Sequence, residues 1–325
     1  MKRFFKSFAL VLCLGLVFAV GYVRLPYYSI GPGPAREVEP LIDIQGRPTY
    51  SSAGKLIMTT VTFRQLTPAT ALFAWLDPSL SVVHKDVLYP SNETVEVEHQ
   101  RSLSDMDQSK IDATSVVLTK LEGYPDTHGR GALIETTFQG CPADGKLHAG
   151  DLIVSIDNHP VVTEQDASSL LSAAKVGDPL TFEVRAGGQT HDIAVAKGTC
   201  PGADRPLLGI SLIDAFPFSV NISSGDISGP SAGLMFALGL YDALTPGDLT
   251  QSRTIAGTGT IGLDGKVGPI GGITDKVVAA ERVGATVFLV PKDNMADLKG
   301  VNTGDMKLIP VGTFQEAVDA LSAGP

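Results

Sequence analysis

The chain is short of cysteine, of positive charge and of any grouped metal ligands. Lys and Arg number 25 against 35 Asp and Glu, a formal net charge of −10. No basic stripe is therefore available to follow a phosphate backbone, and nucleic acid is excluded as the main partner. No Cys and His fall at metal-ligand spacing, and no cofactor is expected. No Gly-x-x-x-x-Gly-Lys-Ser/Thr string occurs, so a P-loop nucleotide site is missing. None of the six histidines lies near the serine that matters below, which leaves a Ser–His triad without a recognisable motif. The 35 glycines and 21 prolines are spread through turns rather than massed in one tract. Charged residues make up only 18% of 325 and hydrophobic ones 43%, enough for a sizeable core and two domains.

The N-terminus stands apart. Lys2, Arg3 and Lys6 precede an uncharged run from Ser7 to Val23, closed by Arg24. The run is longer than a usual signal-peptide core and just long enough to span a bilayer. Cleavage after Ala19 or Gly21 would cut inside the apolar run, so an uncleaved signal anchor is preferred to a removed leader. Residues 1–6 then form a cytoplasmic tail and 7–24 a single-pass anchor in the cell membrane, with everything after it outside the cytoplasm. Cys13 lies in this run. Cys141 and Cys200 face an oxidising compartment, where either a bridge or two buried thiols fit.

Residues 25–53, with Gly31-Pro32-Gly33-Pro34, read as a stiff linker. Lys55 to Phe63 alternates and is β-branched, hence a strand. Pro68 to Leu76 reads as a helix capped by Thr67. Ser91 to Gln100 is polar and β-rich surface. Ser104 to Leu121 spaces Met106, Ile111, Val116, Val117 and Leu121 for one helical face. From Gly129 the character changes: Cys141-Pro142-Ala143 leads to Gly150-Asp151-Leu152-Ile153-Val154-Ser155-Ile156-Asp157, then a helix over 166–174 and a strand over 180–184. This string resembles a PDZ domain of the permuted bacterial kind. The resemblance implies a groove for peptide C-termini or extended segments. Gly131, Ala132 and Leu133 would form the carboxylate loop, and Ile134 would begin the receiving strand.

Gly229-Pro230-Ser231-Ala232-Gly233 places a serine in a turn entering an apolar helix, and Lys276 follows Gly271-Gly272 at the start of another. A hydroxyl nucleophile needs a base, and a lysine serves only when neutral. At an ordinary pKa of ~10.4, about one lysine in a few thousand is neutral at pH 7. Lowering that value needs an apolar setting, which the flanks 267–273 and 277–280 supply. Together with Gly257-Thr258-Gly259 and Gly265-Lys266-Val267, this constellation resembles the proteolytic domain of the Lon family, a serine endopeptidase family with a Ser–Lys dyad. The resemblance implies that Ser231 attacks and Lys276 carries the proton. Thr258 would orient the lysine, or else be an ordinary strand threonine. The oxyanion would be held by the Ser231 amide and one just upstream, with Gly229, Pro230 and Gly233 shaping the turn for close approach of substrate. One departure is Ser228, where the family usually has an acidic residue.

The expected architecture is α+β: residues 54–122 supply the N-terminal part of the Lon-type domain, 123–202 a PDZ domain inserted in it or preceding it, and 203–325 the catalytic part. The activity implied is ATP-independent cleavage of unfolded or extended polypeptides, with self-assembly as in related catalytic domains. Two rivals remain: a non-catalytic anchored scaffold, and a carboxy-terminal processing protease, against which the Ile-Gly-Gly-x-x-x-Lys context argues.

Overall fold

The computed structural model describes residues 18, 20–77, 79–89 and 95–324. Most of the expected anchor, with Cys13, lies outside them. Among the described residues no helix is long and apolar enough to cross a membrane.

The larger lobe is a six-stranded sheet built from both ends of the chain. Its strands are β1 (Tyr27–Glu37), β3 (Lys55–Gln65), β4 (Ser81–His84), β12 (Thr254–Gly257), β15 (Val287–Pro291) and β16 (Lys307–Val311), ordered β16-β15-β12-β3-β1-β4. From β16 to β3 neighbours run parallel, while β1 and β4 are antiparallel to the strands beside them. Apart from the edge strand β16, the parallel segments are buried on both faces, and for that reason they read as continuous apolar runs. Leu56, Met58, Ile255 and Leu289 face one cluster; Ile57, Ala256, Phe288 and Val290 face the other. Strand alternation delivers both sets from the same short segments.

On the first face lie the long helix α3 (Val95–Glu122), α5 (Gly233–Leu244) and α7 (Phe314–Ser322). On the second lies α6 (Ile273–Arg282). Nearly every side chain of α5 is buried, as its all-round hydrophobicity requires. Helix α1 (Pro68–Leu76) carries the expected Thr67 cap, with Thr70 completing a capping box. Short α2 (Lys85–Leu88) follows β4.

Two expectations need correction here. The expected linker over 25–53 holds β1 and β2 (Ile42–Gln45). Its prolines are tolerated because β4 pairs β1 only from Tyr27 to Ile30. Beyond that point the outer edge needs no N–H, and a bulge between Pro32 and Ala35 absorbs the register. The polar, β-rich stretch expected at the surface is at the surface from residue 95 but is helical there, entering α3, since its acidic residues suit a helix's first turn.

The smaller lobe interrupts the larger. Its sheet runs β10 (Ile210–Asp214), β5 (Ala132–Thr137), β6 (Leu152–Ile156), β8 (Pro179–Ala186), β9 (Gln189–Ala196), with the short β7 (His159–Pro160) beside β6. Helix α4 (Glu164–Ala173) lies over a core of Ile134, Leu147, Ile153, Ile156, Phe182 and Leu208. Strands before and after this lobe pair with each other: β3 with β12, and β2 with β11 (Ser219–Ile222). The smaller sheet also continues to Asp214, twelve residues beyond the expected boundary at 202, because β10 returns to pair with β5.

Candidate active site

Ser231 sits in a single turn of 3-10 helix, Pro230–Ala232, that runs directly into α5. Helix α3 holds this turn from behind. The Gly229 N–H donates to the Ser102 carbonyl at 2.7 Å, and the Ser109 hydroxyl donates to the Pro230 carbonyl at 3.0 Å. Gly229 has φ +89°, a conformation that favours glycine. Gly233 is needed for packing: a Cβ there would fall 2.5 Å from Ser109 Oγ and 2.8 Å from Ile261.

Lys276 projects from the first turn of α6, with only 2% of its surface exposed. Its Nζ lies 2.7 Å from Ser231 Oγ and 3.0 Å from Thr258 Oγ1. Burial pulls its pKa down from 10.5 to about 8. Among the described residues no carboxylate pairs with it, and desolvation is the cause of the shift. About a tenth of the amines are then neutral at pH 7, hundreds of times the share in a solvated lysine.

Thr258, also buried, decides which way the amine faces. Its hydroxyl donates to the Ser231 carbonyl at 2.9 Å, leaving its oxygen only to accept from Lys276. With one N–H directed at Thr258, the lone pair of the neutral amine is free to take the Ser231 proton. The Gly259 N–H adds a second donor to the same carbonyl at 2.8 Å, so the nucleophile's backbone is tied to the β12 segment.

The oxyanion donors differ from expectation. Position 230 is proline, the Gly229 amide is taken by Ser102, and the Gly233 amide donates to the Pro230 carbonyl. None of the three can serve. The Ala232 N–H is taken up within the same 3-10 turn, whereas the Ser231 N–H has no partner among the described residues. It opens a helix, where an unbonded amide points outward, and it is the donor available to a developing oxyanion.

Asn294 was not identified from sequence. Its buried side-chain amide accepts from the Ile270 N–H at 2.8 Å and donates to the Ile270 carbonyl at 3.0 Å, clamping the loop that leads to Lys276. It lies beyond the next strand, in an unremarkable helical turn, and no local signal marks it. Lys266, by contrast, is 78% exposed and pairs with Asp264, a hairpin surface residue as expected.

A second candidate site lies on the smaller lobe. Gly131, Ala132, Leu133 and Ile134 do not form it. β5 is paired on both sides, Ala132 to Ile134 are buried, and a Cβ on Gly131 would strike Leu152. The open edge on this side of the sheet belongs to β10, which covers β5 directly. Between β10 and α4 runs a groove of about 530 Å³, lined by Ser168, Leu171, Leu208, Ile210 and Leu212 among others. At its head, Arg205 to Gly209 form a loop in which the amides of Leu208 and Gly209 have no partner among the described residues. Gly209 has φ +82°, and a Cβ there would fall 2.1 Å from Cys141 Cβ. Cys141 and Cys200 are joined by a disulfide directly behind that loop. Leu207-Leu208-Gly209-Ile210 is the signal that local reading passed over, because it follows the lobe's other strands instead of opening them.

Comparisons with known proteins agree with both lobes. The family model described as the Lon protease (S16) C-terminal proteolytic domain matches residues 218–322, and that of the PDZ domain matches 110–196. Lon protease 2 of Bacillus subtilis is 37% identical over 112 residues, 34% of this chain and 20% of that protein. The Lon protease of Rickettsia bellii is 30% identical over 161 residues, 46% of this chain and 20% of that protein. This chain thus spans about a fifth or less of the length of the curated relatives it matches. A crystal structure of the PDZ domain of an SdrC-like protein from Listeria innocua aligns at 27% identity and TM-score 0.24, covering 25% of this chain and 92% of that one. The chain carries a Lon-type proteolytic domain and a PDZ domain.

Proposed function

We propose, from these two domains as premise, that the chain is a serine endopeptidase that cleaves unfolded or extended polypeptides without ATP, anchored in the cell membrane with its catalytic part outside the cytoplasm. One observation carries the catalytic reading: a buried lysine amine, with its pKa brought down to about 8, lies 2.7 Å from Ser231 Oγ. Ser231 attacks the scissile carbonyl while its proton passes to Lys276. The oxyanion is held by the Ser231 amide. Lys276 then returns the proton to the departing amine, leaving an acyl-enzyme that water hydrolyses by the same route. Lacking a nucleotide-driven motor, such a site suits chains that are already extended. The β10 edge supports peptide capture by strand addition, with the Leu208 and Gly209 amides meeting a terminal carboxylate. The disulfide supports an oxidising location, and the basic-flanked apolar run from Ser7 to Val23 supports the anchor.

The test is hydrolysis of casein by the full chain without nucleotide, comparing wild type, Ser231→Ala and Lys276→Ala. Activity in the wild type alone is expected. Equal activity in all three would overturn the dyad, and silence in all three would favour a scaffold whose proteolytic domain binds without cutting.

A further inference from the structure

Helix α1 breaks the rule that an amphipathic helix turns its apolar face inward. Of its nine residues, Pro68–Leu76, only Ala74 is buried. Leu72, Phe73, Trp75 and Leu76 are 58%, 71%, 78% and 64% exposed, and the helix carries no charge. At 100° per residue these four side chains span a single outward face about 160° wide. Phe63 on β3 and Val82 on β4 are exposed as well. A soluble surface does not ordinarily gather large side chains in this way without something to cover them.

The position of the helix indicates what covers it. The apolar run ending at Val23 joins the body at the end of β3, immediately before α1. The Leu25 N–H donates to the Leu66 carbonyl at 2.8 Å, and the Gln65 side-chain amide donates to the Leu25 carbonyl at 3.2 Å. A cavity of about 470 Å³ at this seam is lined by Arg24, Arg64, Phe73 and Ala74. Two guanidiniums and one carboxylate, Asp77, thus line the seam where the apolar face meets the departing N-terminal run, a net positive border of the kind that anionic phosphates above an acyl layer would meet.

We propose that α1 is a membrane-interface helix. It lies flat beside the N-terminal anchor, with Leu72, Phe73, Trp75 and Leu76 among the lipid acyl chains and Arg24 and Arg64 at the headgroup phosphates. This rests on the anchor reading above and adds to it a second, lateral contact. That contact would hold the catalytic lobe against the bilayer instead of letting it swing on a tether. The occupant is lipid rather than a second copy because the face adjoins the chain's own apolar run and its border is net positive, two guanidiniums against the single carboxylate of Asp77.

Trp75 is the sole tryptophan of the 325 residues, so its emission reports this face alone. The experiment reconstitutes the full chain in phosphatidylcholine–phosphatidylglycerol vesicles whose acyl chains are brominated or plain. Trp75 should lose most of its emission in the brominated vesicles, and Leu72→Asp with Phe73→Asp should restore it while casein cleavage and flotation persist. Failure to float with either vesicle would overturn the anchor and this contact together. Flotation with Trp75 unquenched by bromine would overturn the contact alone. If the tryptophan is then also shielded from acrylamide, the face belongs to a second copy of the chain.

Discussion

The two candidate sites are opposite solutions to holding a polypeptide. The dyad is enclosed: Lys276 and Thr258 are buried, every side-chain polar atom of the trio has a defined partner, and α3, β12 and Asn294 brace it. The β10 groove is open: its amides point at solvent, and its loop is braced from behind by one disulfide and one glycine. Chemistry needs the first arrangement, because water would restore the lysine's charge and lose the base. Capture needs the second, because a strand edge already paired has nothing to offer a peptide.

The sharpest way to break this contrast is Lys276→Met. Turnover should fall by about 10³-fold or more, as loss of a general base implies. Stability should move the other way. Lys276 titrates near 8 in the fold against 10.5 as its reference value, so between those values the unfolded chain holds the extra proton. Stability therefore rises as pH climbs through that window, and the penalty is complete below it. Methionine removes it, and thermal unfolding at pH 7 should show a gain of about 2–3 kcal/mol. A variant that is inactive and less stable would contradict the idea of a strained, desolvated base.

Gly209→Ala attacks the other side. It needs φ +82° and space already filled by Cys141, so the loop must shift. Binding of a peptide with a free C-terminal carboxylate, followed by fluorescence polarisation, should weaken by about tenfold or more. Hydrolysis of a short fluorogenic peptide should be unchanged. Loss of both activities would mean that the two sites are not separable. The smallest effect is in pH dependence. kcat/KM should fall about tenfold per pH unit below about 8 as the lysine protonates, while peptide binding at the groove stays flat over the same range.

The sequence read the dyad better than the groove, and the reason lies in distance along the chain. Gly229 to Gly233 and Gly271 to Lys276 are each a turn and a helix start, decided by local glycine and apolar spacing. The groove fails as a local reading because its edge strand comes last. Ala132 to Ile134 have the composition of a receiving strand, but β10, some eighty residues later, covers that edge. The linker failed in the same way: Gly31-Pro32-Gly33-Pro34 looks like a strand breaker until a free edge and a bulge make room for it.

By itself the sequence singled out Ser231 and Lys276 as the pair to meet, left Thr258 open between an orienting hydroxyl and an ordinary strand threonine, and marked the α+β alternation of buried strands and the change of character at Gly129. Only the tertiary structure decided that the Ser231 amide is free while those of Gly229, Ala232 and Gly233 are bound. It alone decided which strand is an edge, and that an apolar helix at 68–76 faces outward. Hydrogen-bond pairing and burial are properties of neighbours brought from far along the chain, and no local pattern states who those neighbours will be.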